Sequence, residues 1–107
     1  MNNKHNHTIE FAPFTLAEGV DEATLIAAAE ELQKDFLGRQ KGFIKRDLAR
    51  LADGRWADVI YWESRESVEQ AMQSAPENPA ALRYFQLMAA SDSDMANTLM
   101  SVTRSYS

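Results

Sequence analysis

Apolar and polar residues follow two periods along the chain, and their order predicts six elements of secondary structure. Four stretches alternate with a period of about two and predict strands, at residues 8–16, 42–51, 55–63 and 98–106. Apolar residues at three- and four-residue spacing predict a helix over 21–37. A second helical stretch begins at Ser64, bends at Pro76 and restarts at Asn78.

The predicted element order, β-α-β-β-α-β, indicates an α+β domain with the ferredoxin-like fold and an antiparallel sheet. Right-handed crossovers place the first and third strands in the centre of the sheet and the second and fourth at its edges. Both helical regions then cover the same face of the sheet. The hairpin between strands two and three is predicted at Asp53-Gly54, a sequence typical of tight turns.

The third strand is apolar on both faces, although the helices can cover only one of them. Trp56, Ile60 and Trp62 lie on one face, and Val59 and Tyr61 lie on the other. A strand that is apolar on both faces is covered on both faces. We therefore predict a homodimer in which two sheets pack face to face as a dimeric α/β barrel, with Val59 and Tyr61 at the interface.

Length and composition limit the possible classes of function. The chain has 107 residues, a formal net charge of −5 and no cysteine. One domain over 8–107, preceded by a flexible N-terminal tail over 1–7, fits this length. The acidic balance argues against nucleic acid as a partner. The chain lacks the run of about 20 apolar residues needed to cross a bilayer, so we expect no membrane partner and a cytoplasmic location.

The sequence offers few histidines and no cysteine for metal binding or nucleophilic catalysis. The only two histidines, His5 and His7, lie in the predicted tail. They could bind a metal ion, but a solvated tail is the favoured explanation, because chain termini are commonly frayed. Without cysteine there is no thiolate nucleophile. We therefore predict no metal site.

Five short motifs lie between residues 19 and 66, from the start of helix one to the start of the second helical stretch. They are GVDE at 19–22, LQKDFL at 32–37, QKGFIKR at 40–46, DGRWAD at 53–58 and IYWESRE at 60–66. Together they resemble the antibiotic biosynthesis monooxygenase (ABM) proteins of the dimeric α/β-barrel superfamily. Lys41 stands where proline is more common in that family.

The resemblance implies a pocket between sheet and helices. Cofactor-independent ABM oxygenases use such a pocket, lined by Trp, Tyr, Asn and Arg, to oxidise polyphenolic aromatics. Trp62 stands where the family has its strand-three Trp. Haem-degrading relatives need an Asn on strand one and a His on helix two. Strand one here offers Thr8, Glu10 and Ala12, and helix two has no His. We therefore expect no haem and no other cofactor.

The residues themselves suggest a ligand wall on strand three. Trp56 and Trp62 share a face with Asp58, so two rings and one carboxylate could hold a flat aromatic ligand. Alternatively both rings are core residues. Asp58 could act as a general base toward a phenol, or it could pair with Arg46 or Arg50 across the hairpin. The candidate catalytic residues are Asp58 and Trp62, and the candidate ligand-binding residues are Trp56, Trp62 and Arg46.

Positive charge is concentrated at the end of helix one and along strand two. Seven of the 11 basic residues lie there, namely Lys34, Arg39, Lys41, Lys45, Arg46, Arg50 and Arg55. This cluster could bind the carboxylate or phenolate of a ligand, or it could protect an edge strand from aggregation.

Two functions stay open on the sequence alone. One is a cofactor-independent monooxygenase acting on a flat aromatic or phenolic substrate. The other is a non-catalytic protein on the same dimeric fold that binds a small molecule or serves as an accessory. The size and polarity of the cavity between sheet and helices would separate a ligand-binding role from a purely structural one.

Overall fold

A four-stranded antiparallel sheet carries the fold, and the helices pack on one of its faces. The computed structural model describes residues 7–89 and 97–107. Its strands are β1 (Thr8–Phe14), β2 (Phe43–Arg50), β3 (Trp56–Trp62) and β4 (Thr98–Ser101). The order across the sheet is β2-β3-β1-β4. The predicted ferredoxin-like α+β arrangement, with strands one and three in the centre, is confirmed. Most of the predicted tail lies outside the described residues, as do residues 91–94, where the polar sequence predicts a loop.

Each α-helix begins directly after a capping side chain. The helices are α1 (Glu22–Asp35), α2 (Arg65–Ser74) and α3 (Pro79–Phe85), with short 3-10 turns at Leu37–Arg39 and Ala75–Glu77. The side chains of Asp21, Ser64 and Asn78 accept hydrogen bonds from backbone N–H groups three residues further on, at 2.9, 3.2 and 3.0 Å. Each cap thus satisfies one of the N–H groups that have no partner in the first helical turn.

All four predicted strands are longer than the observed ones, and two of them differ by more than one residue at one end. The first strand ends at Phe14 rather than at residue 16, and the last ends at Ser101 rather than at 106. β4 pairs with β1 from Thr8↔Ser101 to Phe11↔Thr98. Since β1 begins at Thr8, the chain beyond Ser101 has no strand left to pair with, and one more bond, from the Val102 N–H to the His7 carbonyl, closes the ladder at 2.8 Å.

The two faces of the sheet differ in burial. Toward the helices, Trp56, Ile60 and Trp62 of β3 are buried together with Leu25 of α1 and Val68 of α2. On the opposite face, Val59 and Tyr61 are only half-buried in the single chain. The hydrophobic core therefore lies between the sheet and the helices, and the outer face lacks a second layer within the described residues.

Gly42 fixes how the start of β2 meets the start of α2. Its φ is +87°, in the left-handed region that favours glycine. A Cβ at this position would lie 2.0 Å from the Ser67 hydroxyl oxygen. The Gly42 carbonyl also accepts from the Glu63 N–H at 2.8 Å. The glycine of the QKGF motif is thus required by a close approach of the backbone to α2.

No helix in the described part of the chain is both long and apolar enough to cross a bilayer.

Candidate functional site

A cavity of about 470 Å³ lies between the sheet and the helices, where the family resemblance implies a pocket. Side chains of β1, β3 and all three α-helices line it. Most are apolar, among them Phe14, Leu32, Phe36, Ile60 and Phe85. The volume falls within the range of about 300–1,000 Å³ that is typical of small-molecule sites. The side chains of the described residues therefore leave space for a ligand between the sheet and the helices.

Four polar side chains also line the cavity: Glu10, Asp58, Tyr84 and Asn97. Glu10 of β1 is paired with Ile60 of β3, and Asp58 lies two residues before Ile60 on the same strand. Side chains two residues apart on a strand share a face, so both carboxylates point toward the helices. Glu10 is 7% exposed and Asp58 is 4% exposed. Two carboxylates thus lie close together in an apolar environment.

Asp58 is the centre of a buried hydrogen-bonded group. Its Oδ1 accepts from Arg46 Nε at 2.7 Å, and its Oδ2 accepts from the Tyr84 hydroxyl at 2.7 Å. Both side chains of the Arg46–Asp58 ion pair are 6% exposed. Arg46 also donates from Nη1 to the Ala29 carbonyl at 2.9 Å, while its buried Nη2 has no hydrogen-bond partner. Of the two partners predicted for Asp58, the structure pairs it with Arg46.

Tyr84 is held as a neutral phenol. Burial raises the pKa of the Tyr84 hydroxyl far above its ordinary value, and the nearby Asp58 carboxylate raises it further. Its proton is directed at Asp58, so its oxygen presents lone pairs rather than a proton to the rest of the cavity. Tyr84 is therefore a hydrogen-bond acceptor toward any ligand.

Glu10 has a different set of partners. Its Oε1 accepts from Trp62 Nε1 at 3.1 Å, and its Oε2 accepts from Asn97 Nδ2 at 2.5 Å. Burial raises the pKa of Glu10, the two donors lower it, and the charge of Asp58 raises it slightly; the net direction is upward. No cation pairs with Glu10 in the described part of the chain. A carboxyl with a raised pKa in a cavity is typical of a functional acid or base.

The structure separates the predicted site residues into two groups. Asp58 and Trp62 line the cavity, whereas Trp56 and Arg46 do not. Trp56 is buried, and the Arg50 guanidinium lies 4.8 Å from the centroid of the Trp56 ring. Arg46 donates a hydrogen bond to Asp58 and does not itself contact the cavity. The expected wall of two Trp rings is therefore corrected to Trp62 together with phenylalanines. Arg50, the alternative partner of Asp58, instead contacts Glu22 at 3.4 Å.

The cluster of seven basic residues does not reach the cavity. None of its members lines the cavity as the described residues define it. Arg46, the basic residue closest to it, is neutralised by Asp58. The hypothesis that this cluster binds the anionic group of a ligand in the cavity is therefore not supported. Three of the seven residues, Lys45, Arg46 and Arg50, lie on the edge strand β2.

Three residues of the site were missed from the sequence. Glu10 was noted only as replacing an Asn, and Tyr84 and Asn97 were not singled out at all. For Glu10 a signal existed, because a glutamate on the central strand beside Trp62 of β3 must point either into the core or at the outer face. Tyr84 and Asn97 meet the carboxylates only through tertiary packing, across 26 and 87 residues of sequence.

Over 7–89 and 97–107, no group of three or more His, Asp or Glu side chains is arranged to hold a metal ion.

Solved structures share this fold over nearly the whole chain. A point variant of SnoaB, a cofactor-independent oxygenase from Streptomyces nogalater, superposes with a TM-score of 0.72 at 17% identity, covering 94% of this chain and 96% of that one. A proposed antibiotic biosynthesis monooxygenase from Bordetella bronchiseptica gives 0.72 at 17%, covering 94% and 99%. A proposed monooxygenase of the same kind from Chloroflexus aurantiacus gives 0.62 at 14%, covering 94% and 97%.

Sequence comparison alone does not reach these proteins: no family model matches the chain, and no curated protein matches it. At such low identity the structural likeness establishes the fold and not the activity. The motif resemblance and the superposition nevertheless agree. The chain therefore has the fold of the antibiotic biosynthesis monooxygenase proteins.

Proposed function

We propose that this protein is a cofactor-independent oxygenase that oxidises a flat phenolic substrate bound in the cavity between sheet and helices. The observation that carries the proposal is the cavity itself: about 470 Å³, largely apolar, with two buried carboxylates and Trp62 on its sheet side. Such a site could stack a flat ring, exclude water and place a base at the ring edge. The shared fold with SnoaB, a cofactor-independent oxygenase, supports the same reaction class.

The base is best assigned to Glu10. A general base must reach the substrate and take up its proton readily, and a pKa raised by burial makes the Glu10 carboxylate a stronger base. Trp62 and Asn97 hold its carboxylate in place through one hydrogen bond each. Asp58, predicted as the base from the sequence, already pairs with Arg46 and Tyr84. We therefore propose Asp58 as a residue that positions Tyr84 and the ligand.

The proposed reaction balances without a cofactor. Glu10 removes a proton from a ring methylene that is activated by the phenolic system, which leaves a resonance-stabilised carbanion. The carbanion gives electrons to O₂, a C–O bond forms, and the resulting peroxide takes up a proton. Its O–O bond then breaks as a second C–H proton leaves, so that CH₂ and O₂ become C=O and H₂O. The protein contributes orientation, an apolar environment and the proton acceptor.

A second function is favoured by a specific observation. Every carboxylate oxygen of Glu10 and Asp58 already accepts a hydrogen bond from the protein's own side chains. A cavity whose polar groups are satisfied in this way also suits a non-catalytic protein that binds a flat aromatic molecule. In that case the carboxylates would orient the ligand and no proton transfer would follow.

Oxygen consumption separates the two functions. The native protein is incubated in air with a panel of anthrone-type phenols, and dissolved oxygen is followed with an electrode. Uptake above the uncatalysed rate, lost in Glu10→Gln and kept in the exposed control Glu63→Gln, supports the oxygenase. Binding of these compounds without any uptake across the panel refutes the oxygenase and supports the binding protein.

We further propose that the chain forms a homodimer through the outer face of its sheet. Val59 and Tyr61 of β3 are half-buried there, and Met100 of β4 is 43% exposed. A second copy of the same face would remove this apolar surface from water. Light scattering at micromolar concentration should give a dimer mass for the native protein and for Leu82→Asp on α3, and a monomer mass for Val59→Asp. A monomeric native protein would refute the proposal.

A further inference from the structure

The polar groups of the cavity are strongly biased toward hydrogen-bond acceptors. Glu10 and Asp58 offer only carboxylate oxygens, and the Tyr84 hydroxyl uses its proton on Asp58. The Trp62 N–H, the obvious ring donor, is used on Glu10. Asn97 uses one of its two amide protons on Glu10 as well. The second amide proton of Asn97 is the main side-chain donor left for a ligand among the described lining residues.

The charge of the cavity lining is negative, and so it also disfavours anionic ligands. Asp58 is neutralised by Arg46 from behind, at 2.7 Å. Glu10 has only neutral partners, Trp62 and Asn97, so its negative charge is uncompensated when it is ionised. No lysine, arginine or histidine lines the cavity in the described ranges. A second negative charge brought into this apolar space would meet repulsion that water does not screen.

From this distribution of acceptors and charge we infer that the cavity selects neutral aromatic ligands that donate hydrogen bonds, and that Glu10 excludes aromatic carboxylates. The inference rests on the proposed function in taking this cavity as the ligand site, and it narrows the substrate class. The ring lies among Trp62 and the phenylalanines. A hydroxyl at its edge donates to Glu10, and a second hydroxyl can reach the neighbouring acceptors, Asp58 and Tyr84.

The position of the two carboxylates supports a ligand with two donors along one edge. Glu10 and Asp58 are diagonal neighbours on adjacent antiparallel strands, a relation that separates the two residues by roughly 7–8 Å. Hydroxyls on one edge of a fused or meta-substituted ring system can contact both groups. A ligand that carries a carboxylate at the same edge would face an oxygen anion at each end.

The test uses three quinones of one skeleton that cannot be oxidised further at the ring. They are 2-(hydroxymethyl)anthraquinone, a neutral donor; anthraquinone-2-carboxylate, an anion; and 2-methylanthraquinone, which has neither property. Binding is measured at pH 8 by quenching of tryptophan fluorescence. This pH lies well above the ordinary carboxyl range, which matters because burial raises the pKa of Glu10. For the native protein we expect the hydroxymethyl compound to bind at least tenfold more tightly than the carboxylate, with the methyl compound between them.

The decisive variant is Glu10→Gln, because an amide carries no charge and can donate a hydrogen bond to a carboxylate. We expect it to bind the carboxylate at least tenfold more tightly than the native protein does, and the hydroxymethyl compound more weakly. Simple damage to the cavity would weaken all three ligands and would not produce a gain. Glu63→Gln, an exposed glutamate just beyond β3, is the matched control and should leave all three affinities unchanged.

The outcomes are distinct. Equal or tighter native binding of the carboxylate, no gain in Glu10→Gln, or no binding of any quinone overturns the inference. Selective binding without oxygen uptake by the native protein refutes the proposed oxygenase and leaves the selectivity standing. Oxygen uptake by the native protein together with tighter binding of the carboxylate supports the proposed oxygenase and overturns the inferred selectivity.

Discussion

The buried ion pair between Arg46 and Asp58 permits a quantitative prediction about stability. Asp58→Asn removes the negative charge but keeps one acceptor oxygen in nearly the same volume. Only one of the two present donors, Arg46 Nε or the Tyr84 hydroxyl, can then keep its bond to that oxygen. Arg46 cannot replace the lost interaction with water or another group, because its Nη2 is already without a partner and its side chain is only 6% exposed. The variant therefore leaves a buried guanidinium without a counter-charge.

Breaking a buried pair by removing one partner typically costs about 3–5 kcal/mol. We expect the lower end, about 3 kcal/mol, because the asparagine oxygen keeps one hydrogen bond. This is a large part of the roughly 5–15 kcal/mol that stabilises a typical domain. With a slope of about 2 kcal/mol per molar urea, the midpoint of unfolding should fall by roughly 1.5 M.

Urea unfolding followed by tryptophan fluorescence measures this change at one fixed protein concentration, so that any dimerisation contributes equally. The matched control is Asp47→Asn on β2, whose carboxylate is 56% exposed and lies 3.7 Å from Lys45. A surface pair of this kind contributes about 0–1 kcal/mol, so the control should change little. If Asp58→Asn lost less than about 1 kcal/mol, the argument that a buried guanidinium without its counter-charge is strongly destabilising would be refuted.

The double variant Arg46→Met/Asp58→Asn tests the same argument if the single variant unfolds too easily. It removes the unpaired cation and keeps an acceptor for the Tyr84 hydroxyl. We expect the double variant to be more stable than Asp58→Asn alone, because the buried charge, rather than lost packing, dominates the cost. A double variant less stable than the single one would contradict this explanation.

Two further predictions concern titration and backbone geometry. The folded-state pKa of Glu10 is raised above its ordinary value of 4.5, so the folded state holds this proton more tightly, and the stability contributed by Glu10 falls as pH rises from that value. Urea unfolding at pH 5 and pH 8 should therefore show a smaller pH-dependent loss in Glu10→Gln than in native protein; equal losses would contradict the argument. Gly42→Ala should lower the free energy of unfolding by more than about 1 kcal/mol, because φ is +87° and the new Cβ would collide with Ser67; a neutral effect in urea unfolding would refute this.

The fold could be predicted from the sequence because its signals are local. The caps Asp21, Ser64 and Asn78 act within one helical turn, and Asp53-Gly54 closes a hairpin through contacts a few residues apart, with Gly54 at a φ of +95°. Handedness then determines the order of the strands. Errors occurred where tertiary pairing decides, as at the end of β4, which stops when β1 offers no further partner.

The site could be predicted only in part for the same reason. Parity along β3 correctly brought Asp58 and Trp62 to one face and toward the helices. The alternation of side chains along a strand does not show which residues on a face line a cavity and which pack in the core. Trp56 is buried in the core and does not line the cavity. Tyr84 and Asn97 could not be predicted as site residues, because nothing in their local sequence shows that they lie next to a carboxylate in the folded chain.

The contrast between the two buried carboxylates is the strongest physical argument for a functional cavity. Asp58 is compensated by a cation and by a phenol, as a structural carboxylate should be. Glu10 is as deeply buried, yet it has only neutral donors and a raised pKa. A carboxylate in that condition makes the folded state less stable at neutral pH than a neutral side chain would. Stability alone gives no reason for a glutamate there, whereas a ligand that donates a hydrogen bond or yields a proton does.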